Sequence, residues 1–361
     1  MIKFFDIYNQ DKHIHKAFIR KLKKHFIKSD FVLGNSVKKF ENNFSKFSSS
    51  KFSVGCANGT DALYLALKSL NLKKNSEVIV PAMTWISTVL AIIQNNLKPI
   101  LADVNKEDSL ISLDDIKKKI NKKTRVVMPV NLYGSVVNIK EIKKIIGNKK
   151  IFIIEDSAQA HGGKDNLGNR IGKYSDLSCY SFYPGKNLGC YGDGGLITTN
   201  NKKYYEKLIK LRNLGSRFKH IHDEIGVNSR LDTIQATLLN IKLKSLNKLN
   251  YKRRKIASFY NKNIKNKKIN IIKYSKNAVY HQYVILVKNR NNLIKYLEKN
   301  SIQYGIHYPL PINKLNCFKK IFKNKKYTNA EYIASHCLSL PIDPNLSHKD
   351  QKKLCSVINN Y

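Results

Sequence analysis

The sequence predicts an α/β fold: a large domain with a mostly parallel central sheet, then a smaller α+β domain at the C-terminal end. Three observations carry this. Between residue 54 and about 200, short apolar runs alternate with helical patterns, as they do when each strand is followed by a crossover helix. From about residue 266 that rhythm changes to a mixed one. The length, 361 residues at 42% hydrophobic, exceeds one ordinary core and suggests two domains.

The strand candidates are EVIVPA (77–82), KPILADV (98–104), TRVVMPV (124–130) and KKIFIIED (149–156), followed by DLSCYSFY and GGLITT. Helical patterns lie between them in ISTVLAIIQNN, SLDDIKKKI and NIKEIKKII, with Ser112 and Asp115 resembling a helix start. A helix follows around KKYYEKLIKLRNL. Next comes one long helical stretch from about 230 to 264, with Leu231, Ile234, Leu238 and Ile241 at helical spacing. Such a length suits a bridge, so the domains are expected at 1–245 and 246–361. The second holds HQYVILV, NNLIKYLEKN, a proline-rich GIHYPLPINK and a final helix near HKDQKKLCSVI.

Charge dominates the composition: 66 basic and 25 acidic residues leave +41. A polyanion partner is one reading, yet the lysines are spread from end to end among abundant Asn and Ile. That distribution resembles a codon-level bias more than a binding footprint, which clusters on one face. No nucleic-acid or membrane partner is therefore expected. The N-terminus lacks an apolar secretory core and no run of eighteen apolar residues occurs, so a cytoplasmic location is expected. The six cysteines are scattered with no C-x-x-C pair, which argues against a metal site and a disulfide framework.

One stretch carries chemistry. SFYPGKNLGCYGDGG, residues 181–195, sets Lys186 among five glycines. The phosphate-loop pattern fails, because Asn187 follows the lysine and Tyr180 stands where the first glycine belongs. The dinucleotide pattern fails too, at Ile197. The remaining use of a lysine in a shaped loop is as an amine nucleophile, forming a Schiff base with a carbonyl compound or with pyridoxal phosphate; a solvated surface lysine is the alternative. Other stretches fit the cofactor. Asp156 closes a near-continuous apolar run, where open α/β sheets bind ligands, and its carboxylate could pair with a pyridinium nitrogen. Gly59 and Thr60, after Asn58, open a helix whose N–H groups could hold a phosphate. Trp85, just past a strand end, could stack on a ring, and Ser181 could add a hydroxyl.

In this order ANGTDAL, PAMTW, IIEDSAQAHG, SFYPGKNLG with YGDGG, EIGVNSRLDTIQATLL and GIHYPLP resemble the DegT/DnrJ/EryC1/StrS sugar aminotransferases over nearly the whole chain. The resemblance implies the type I pyridoxal-phosphate transferase fold, that of aspartate aminotransferase. It makes Lys186 the Schiff-base lysine, Asp156 the pyridinium partner and Gln159 a neighbour of the ring oxygen. Gly59, Thr60 and Ser181 become phosphate-binding positions and Trp85 the stacking aromatic. Asn228 would reach the phosphate of a neighbouring subunit, which implies a homodimer with shared sites.

The resemblance further implies amino transfer from L-glutamate to a nucleotide-linked keto sugar, for glycan or O-antigen (lipopolysaccharide) biosynthesis. YPGKNLG followed by YGDGG resembles the branch acting on 3-keto-6-deoxyhexoses, usually dTDP-linked, with Tyr183, His307 and Tyr308 on the substrate side. Nucleotide-linked 4-keto sugars and UDP-linked 3-keto-hexosaminuronates are the alternatives. Asn313 stands where family members often carry a histidine. A silent relative is the distant alternative, and it would be expected to have lost Lys186 or Asp156.

Overall fold

The computed structural model describes residues 1–218 and 220–361. Seven strands form the main sheet: β1 (Phe52–Cys56), β2 (Glu77–Pro81), β3 (Lys98–Ala102), β4 (Thr124–Val127), β5 (Phe152–Asp156), β6 (Leu177–Ser181) and β7 (Gly195–Thr199). Their spatial order is β1-β7-β6-β5-β4-β2-β3. β7 runs antiparallel to both its neighbours, and the other pairs are parallel. The six runs read as strands are thus β2 to β7.

β1 carries no such signal in the sequence, because Ser53 and Gly55 interrupt its apolar run. The burial of its last four residues comes from neighbours distant in sequence. Gly55 lies so close to Leu231 that an added Cβ would sit 3.0 Å from the Leu231 Cβ. The strands on either side of Lys186, β6 and β7, lie inside the sheet rather than at its edge, since β1 pairs beyond β7. Lys186 therefore belongs to the rim.

Crossover helices Ser87–Gln94, Leu113–Lys119 and Ile139–Ile146 fall where the periodicity places them. Ser112 caps the second, its side chain accepting from the Asp115 N–H at 3.3 Å. The long stretch near 230–264 is not one helix: Thr233–Lys242 passes through a 3₁₀ turn, Leu243–Ser245, into Leu246–Asn263. The Ser245 hydroxyl donates to the Lys242 carbonyl at 3.0 Å, a local bond that favours the tighter turn. Helix Asn35–Ser48, unread in the sequence, buries Phe40 and Phe44 against Phe182 and Tyr180, with ring centroids 5.2 and 4.9 Å apart. It thereby braces β6 and the chain leading to Lys186.

A short hairpin, β8 (Ser216–Phe218) with β9 (Ile221–His222), precedes the second sheet. That sheet is antiparallel: β10 (Ile269–Ile271), β11 (Tyr283–Val287) and β12 (Cys337–Leu340). Its core gathers Tyr260, Tyr283, Leu338 and Leu354, and Ile2 from the far end of the chain joins it. Ile2 bridges Ile302 in parallel, so the first residues pack with the last third of the chain. Of the six cysteines, five are buried as free thiols and Cys317 is exposed. Among the described residues, no helix is long and apolar enough to cross a membrane.

Candidate active site

The topology brings the carboxyl ends of β1, β2, β4, β5 and β6 and the amino end of β7 to one rim, because β7 is the reversed strand. A pocket of about 430 Å³ opens there. Its walls include Gly59 and Thr60 after β1, Trp85 after β2, Asp156 and Gln159 at the end of β5, Ser181, Tyr183 and Lys186 after β6, and Tyr308. A size of several hundred Å³ is ordinary for a small-molecule site. A cavity of about 700 Å³ between Asn105–Leu113 and Lys273–Lys276 is larger, but its two lysines, Lys273 and Lys276, are exposed.

Asp156 is buried and held from two sides. Its Oδ2 accepts from Thr88 Oγ1 at 2.9 Å, and its Oδ1 from the Ala158 N–H at 3.2 Å. Burial pushes this carboxyl above the usual range, while those hydrogen bonds and the Lys186 charge oppose the rise. The Lys186 amine moves the other way, pushed down to about 8 by burial, with the Asp156 carboxylate offsetting part of the fall. Imidazoles nearby carry no compensating charge: burial drives His161 to about 3 and His307 to about 4, the lysine adding to both shifts.

Opposite lies a group of donors. Helix Gly59–Ser69 begins at the pocket, with Asn58 capping it through a 2.8 Å bond from the Asp61 N–H. The first-turn N–H groups have no partner within the helix. Thr60 Oγ1 donates to Ser87 Oγ at 2.8 Å, and Ser181 lines the same wall. A Cβ on Gly59 would stand 2.5 Å from the Ser181 Cβ, so glycine lets the helix start lie against β6. N–H groups and hydroxyls on one wall, an amine and a carboxylate on another: this set fits pyridoxal phosphate, with its anionic ester, aldehyde and basic ring nitrogen.

Gln159 is committed on both sides, its Oε1 accepting from the Tyr133 N–H at 2.7 Å and its Nε2 donating to Tyr308 Oη at 2.8 Å. Trp85 and Tyr308 lie 5.2 Å apart at the mouth, where Trp85 and Tyr183 are exposed. His307 is not on the pocket wall: its Nδ1 faces Ser339 Oγ at 2.8 Å, its ring stacks on Phe4, and its carbonyl accepts from the Tyr133 hydroxyl. Asn228 also stands outside, exposed and paired through its backbone with Asn213. Asn313 is buried elsewhere, donating to Glu331 at 2.9 Å. Sequence reasoning missed Thr84, Ser87, Thr88 and Asp193. The first three form a run of hydroxyls right after a strand end, a signal that was available, and Asp193 sits in the quoted YGDGG.

Fold and pocket together define a pyridoxal-phosphate-dependent aminotransferase of the aspartate aminotransferase fold. The chain belongs to the DegT/DnrJ/EryC1/StrS aminotransferase family, whose profile matches residues 12–359. It is 37% identical over 363 residues to the dTDP-3-amino-3,6-dideoxy-alpha-D-galactopyranose transaminase of Aneurinibacillus thermoaerophilus, covering 100% of this chain and 99% of the relative. It is 32% identical over 366 residues to a pleiotropic regulatory protein of Geobacillus stearothermophilus, covering 100% and 98%. Among solved structures, DesV from S. venezuelae in complex with a ketimine intermediate superposes with a TM-score of 0.97 at 30% identity, covering 99% of this chain and 98% of that one.

Proposed function

We propose that the protein transfers an amino group from L-glutamate to a dTDP-linked 3-keto-6-deoxyhexose, giving a 3-amino-3,6-dideoxyhexose for glycan or O-antigen assembly. The observation that carries this reading is Lys186, a half-buried residue whose amine is pushed down to about 8 by desolvation, on one pocket with the Asp156 carboxylate and a phosphate-type helix start. Bound pyridoxal phosphate supplies an electron sink for the carbon whose proton is moved. Gly59, Thr60, Ser87 and Ser181 would hold its phosphate, Asp156 its ring nitrogen, and Lys186 its aldehyde carbon.

The residues divide the remaining work. Lys186 Nζ, once free, takes and returns the proton, because a neutral amine near working pH is a competent base. Asp156, held by Thr88 and Ala158, stays oriented to keep the ring nitrogen protonated. Trp85 would stack on the cofactor ring, and Tyr183, exposed at the mouth, would flank the incoming sugar with Tyr308, His307 lying next to the Tyr308 ring.

The same reading includes a homodimer with shared sites, with Asn228 reaching the neighbouring phosphate. Exposed apolar side chains close to it in sequence support a second copy as the covering surface: Ile225 is 88%, Phe218 64% and Ile221 56% exposed. It also includes a division of the chain near residue 245, supported by the two separate sheets. The test is to supply glutamate with dTDP-linked 3-keto and 4-keto-6-deoxyhexoses and with a UDP-linked 3-keto sugar, and to identify the amino sugar formed. Amination of the 4-keto or UDP substrate alone would overturn the acceptor assignment. Failure of glutamate to bleach the cofactor's yellow absorption would overturn the donor.

A further inference from the structure

Asn187, the residue after Lys186, is buried to 2% exposure although its side chain is polar. Its carboxamide is fully used. Nδ2 donates to Asn250 Oδ1 and to the Val279 carbonyl, each at 2.9 Å, and Oδ1 lies 3.2 Å from His281 Nδ1. His281 is held neutral by burial, with the Lys186 charge as the second cause, so one ring nitrogen carries a proton. An amide oxygen can only accept, which places that proton on Nδ1. Asn250 Nδ2 in turn donates to the His161 carbonyl at 2.8 Å.

The result is a directional chain, His281 to Asn187 to Asn250 to the carbonyl of His161. Its members come from four separate places: the segment leading into β11, the lysine loop, helix Leu246–Asn263, and the loop that follows Asp156 and Gln159. Donors and acceptors aligned head to tail in a buried setting reinforce one another. Lys186 itself has only a backbone anchor here, its N–H donating to the Tyr183 carbonyl at 2.9 Å. Gly185 precedes it, with only ordinary van der Waals contact around an added Cβ, so the loop's own backbone is permissive on that side.

We propose that Asn187 is a positioning residue for Lys186: its carboxamide is the joint that fixes the lysine's backbone relative to the Asp156 loop and to the segment entering the second sheet. This rests on the reading of Lys186 as the reactive amine. A side chain that loses this joint keeps its chemistry and loses its aim.

The experiment compares Asn187→Ala, Asn250→Ala and their double variant with the unsubstituted full chain. In the cofactor-free protein, acylation of Lys186 is followed by mass spectrometry. In the loaded enzyme, kcat and KM for the keto sugar are measured per folded molecule. Misplacement by about an ångström costs on the order of 100-fold, so Asn187→Ala is expected to lower kcat roughly 10- to 100-fold with KM little changed. The acylation rate at Lys186 should change with it. Asn250→Ala should give a smaller loss, and the double variant should be no worse than Asn187→Ala, because both cut one chain.

Unchanged kcat and unchanged acylation in Asn187→Ala would overturn the proposal, as would losses that multiply in the double variant. If Asn187→Ala does not fold, Asn250→Ala and His281→Phe, which remove its partners, decide the same question by the same readouts. Lys186→Ala is the control. Turnover in that variant would sink the assignment of Lys186 itself, whereas a dead Lys186→Ala beside a normal Asn187→Ala would sink only the present inference.

Discussion

Thr88 Oγ1 donates to Asp156 Oδ2 at 2.9 Å, and Thr84 Oγ1 lies 2.8 Å from the same Thr88 hydroxyl. The Trp85 carbonyl, 3.0 Å from Thr88 Oγ1, shares that proton with the carboxylate; as both partners can only accept, Thr84 is the donor in the second bond. The two hydroxyls sit four positions apart, at the start of the helix after β2, and aim the carboxylate across the sheet. Thr88→Val keeps the shape and removes the donor. A hydrogen bond to a charged group contributes about 1.5–3 kcal/mol, so cofactor retention should fall roughly tenfold or more. Equilibrium dialysis against pyridoxal phosphate reads this directly; retention equal to that of the unsubstituted chain would mean Asp156 orients itself without help.

For Lys186 the sign of the pH effect follows from its burial. The amine titrates near 8 in the folded protein and near 10.5 when free. Between those values the unfolded chain binds a proton that the folded chain lacks, so the stability of the cofactor-free protein should rise with pH across the window. Below about 8 both states hold the proton and the penalty of burying it is fully present. Lys186→Met should flatten this part of the stability profile, measured by chemical denaturation at several pH values. Lys186→Ala should also abolish turnover. A Met variant whose profile keeps the same slope would show that the amine is not desolvated as described.

Asp156 and Lys186 were legible in the sequence because each sits in a distinctive local pattern, the end of an apolar strand and a glycine-set loop. Thr88 was not, since its partner lies 68 residues away and a threonine in a helix start has many ordinary uses. β1 was hidden for the same reason: Ser53 is satisfied by the Glu41 carbonyl, and the Gly55 N–H donates to the Glu41 carboxylate at 2.8 Å, partners that no local pattern announces. His307 and Tyr308 were read together, yet the chain bends at His307 and the two side chains meet different partners. The structure turns Tyr308 to the pocket and His307 to Ser339.

Gly59→Ala tests the phosphate wall. A methyl group there would meet the Ser181 Cβ at 2.5 Å, too close to be absorbed by a side-chain rotation, so the helix start must move off β6. The N–H groups of the first turn then leave their place. Cofactor affinity is expected to fall roughly 5- to 150-fold, in line with about 1–3 kcal/mol for overpacking, while far-ultraviolet circular dichroism stays unchanged. Affinity within twofold of the original would show that the phosphate is held elsewhere.

A buried ion pair lies outside the pocket. Lys242 Nζ lies 2.7 Å from Asp11 Oδ2, with side chains only 4% and 3% exposed. Tyr191 Oη donates to the same carboxylate oxygen at 3.0 Å, and the lysine stands 5.5 Å from the Tyr191 ring. Tyr191 belongs to the YGDGG loop, and the Gln235 side chain pairs with both its backbone groups at 2.9 Å. The pair therefore ties the N-terminal helices and helix Thr233–Lys242 to the loop carrying Asp193 into the pocket. Removing one partner strands a buried charge: Lys242→Met should destabilise the fold by about 3–5 kcal/mol, whereas replacing both partners with apolar residues of similar volume should recover most of that. Because buried charges are weakly screened, the loss should differ little between low and high salt. Denaturant titration of the single and double variants at two salt concentrations checks both statements. A Lys242→Met variant as stable as the original chain would show that the pair contributes nothing to holding the loop.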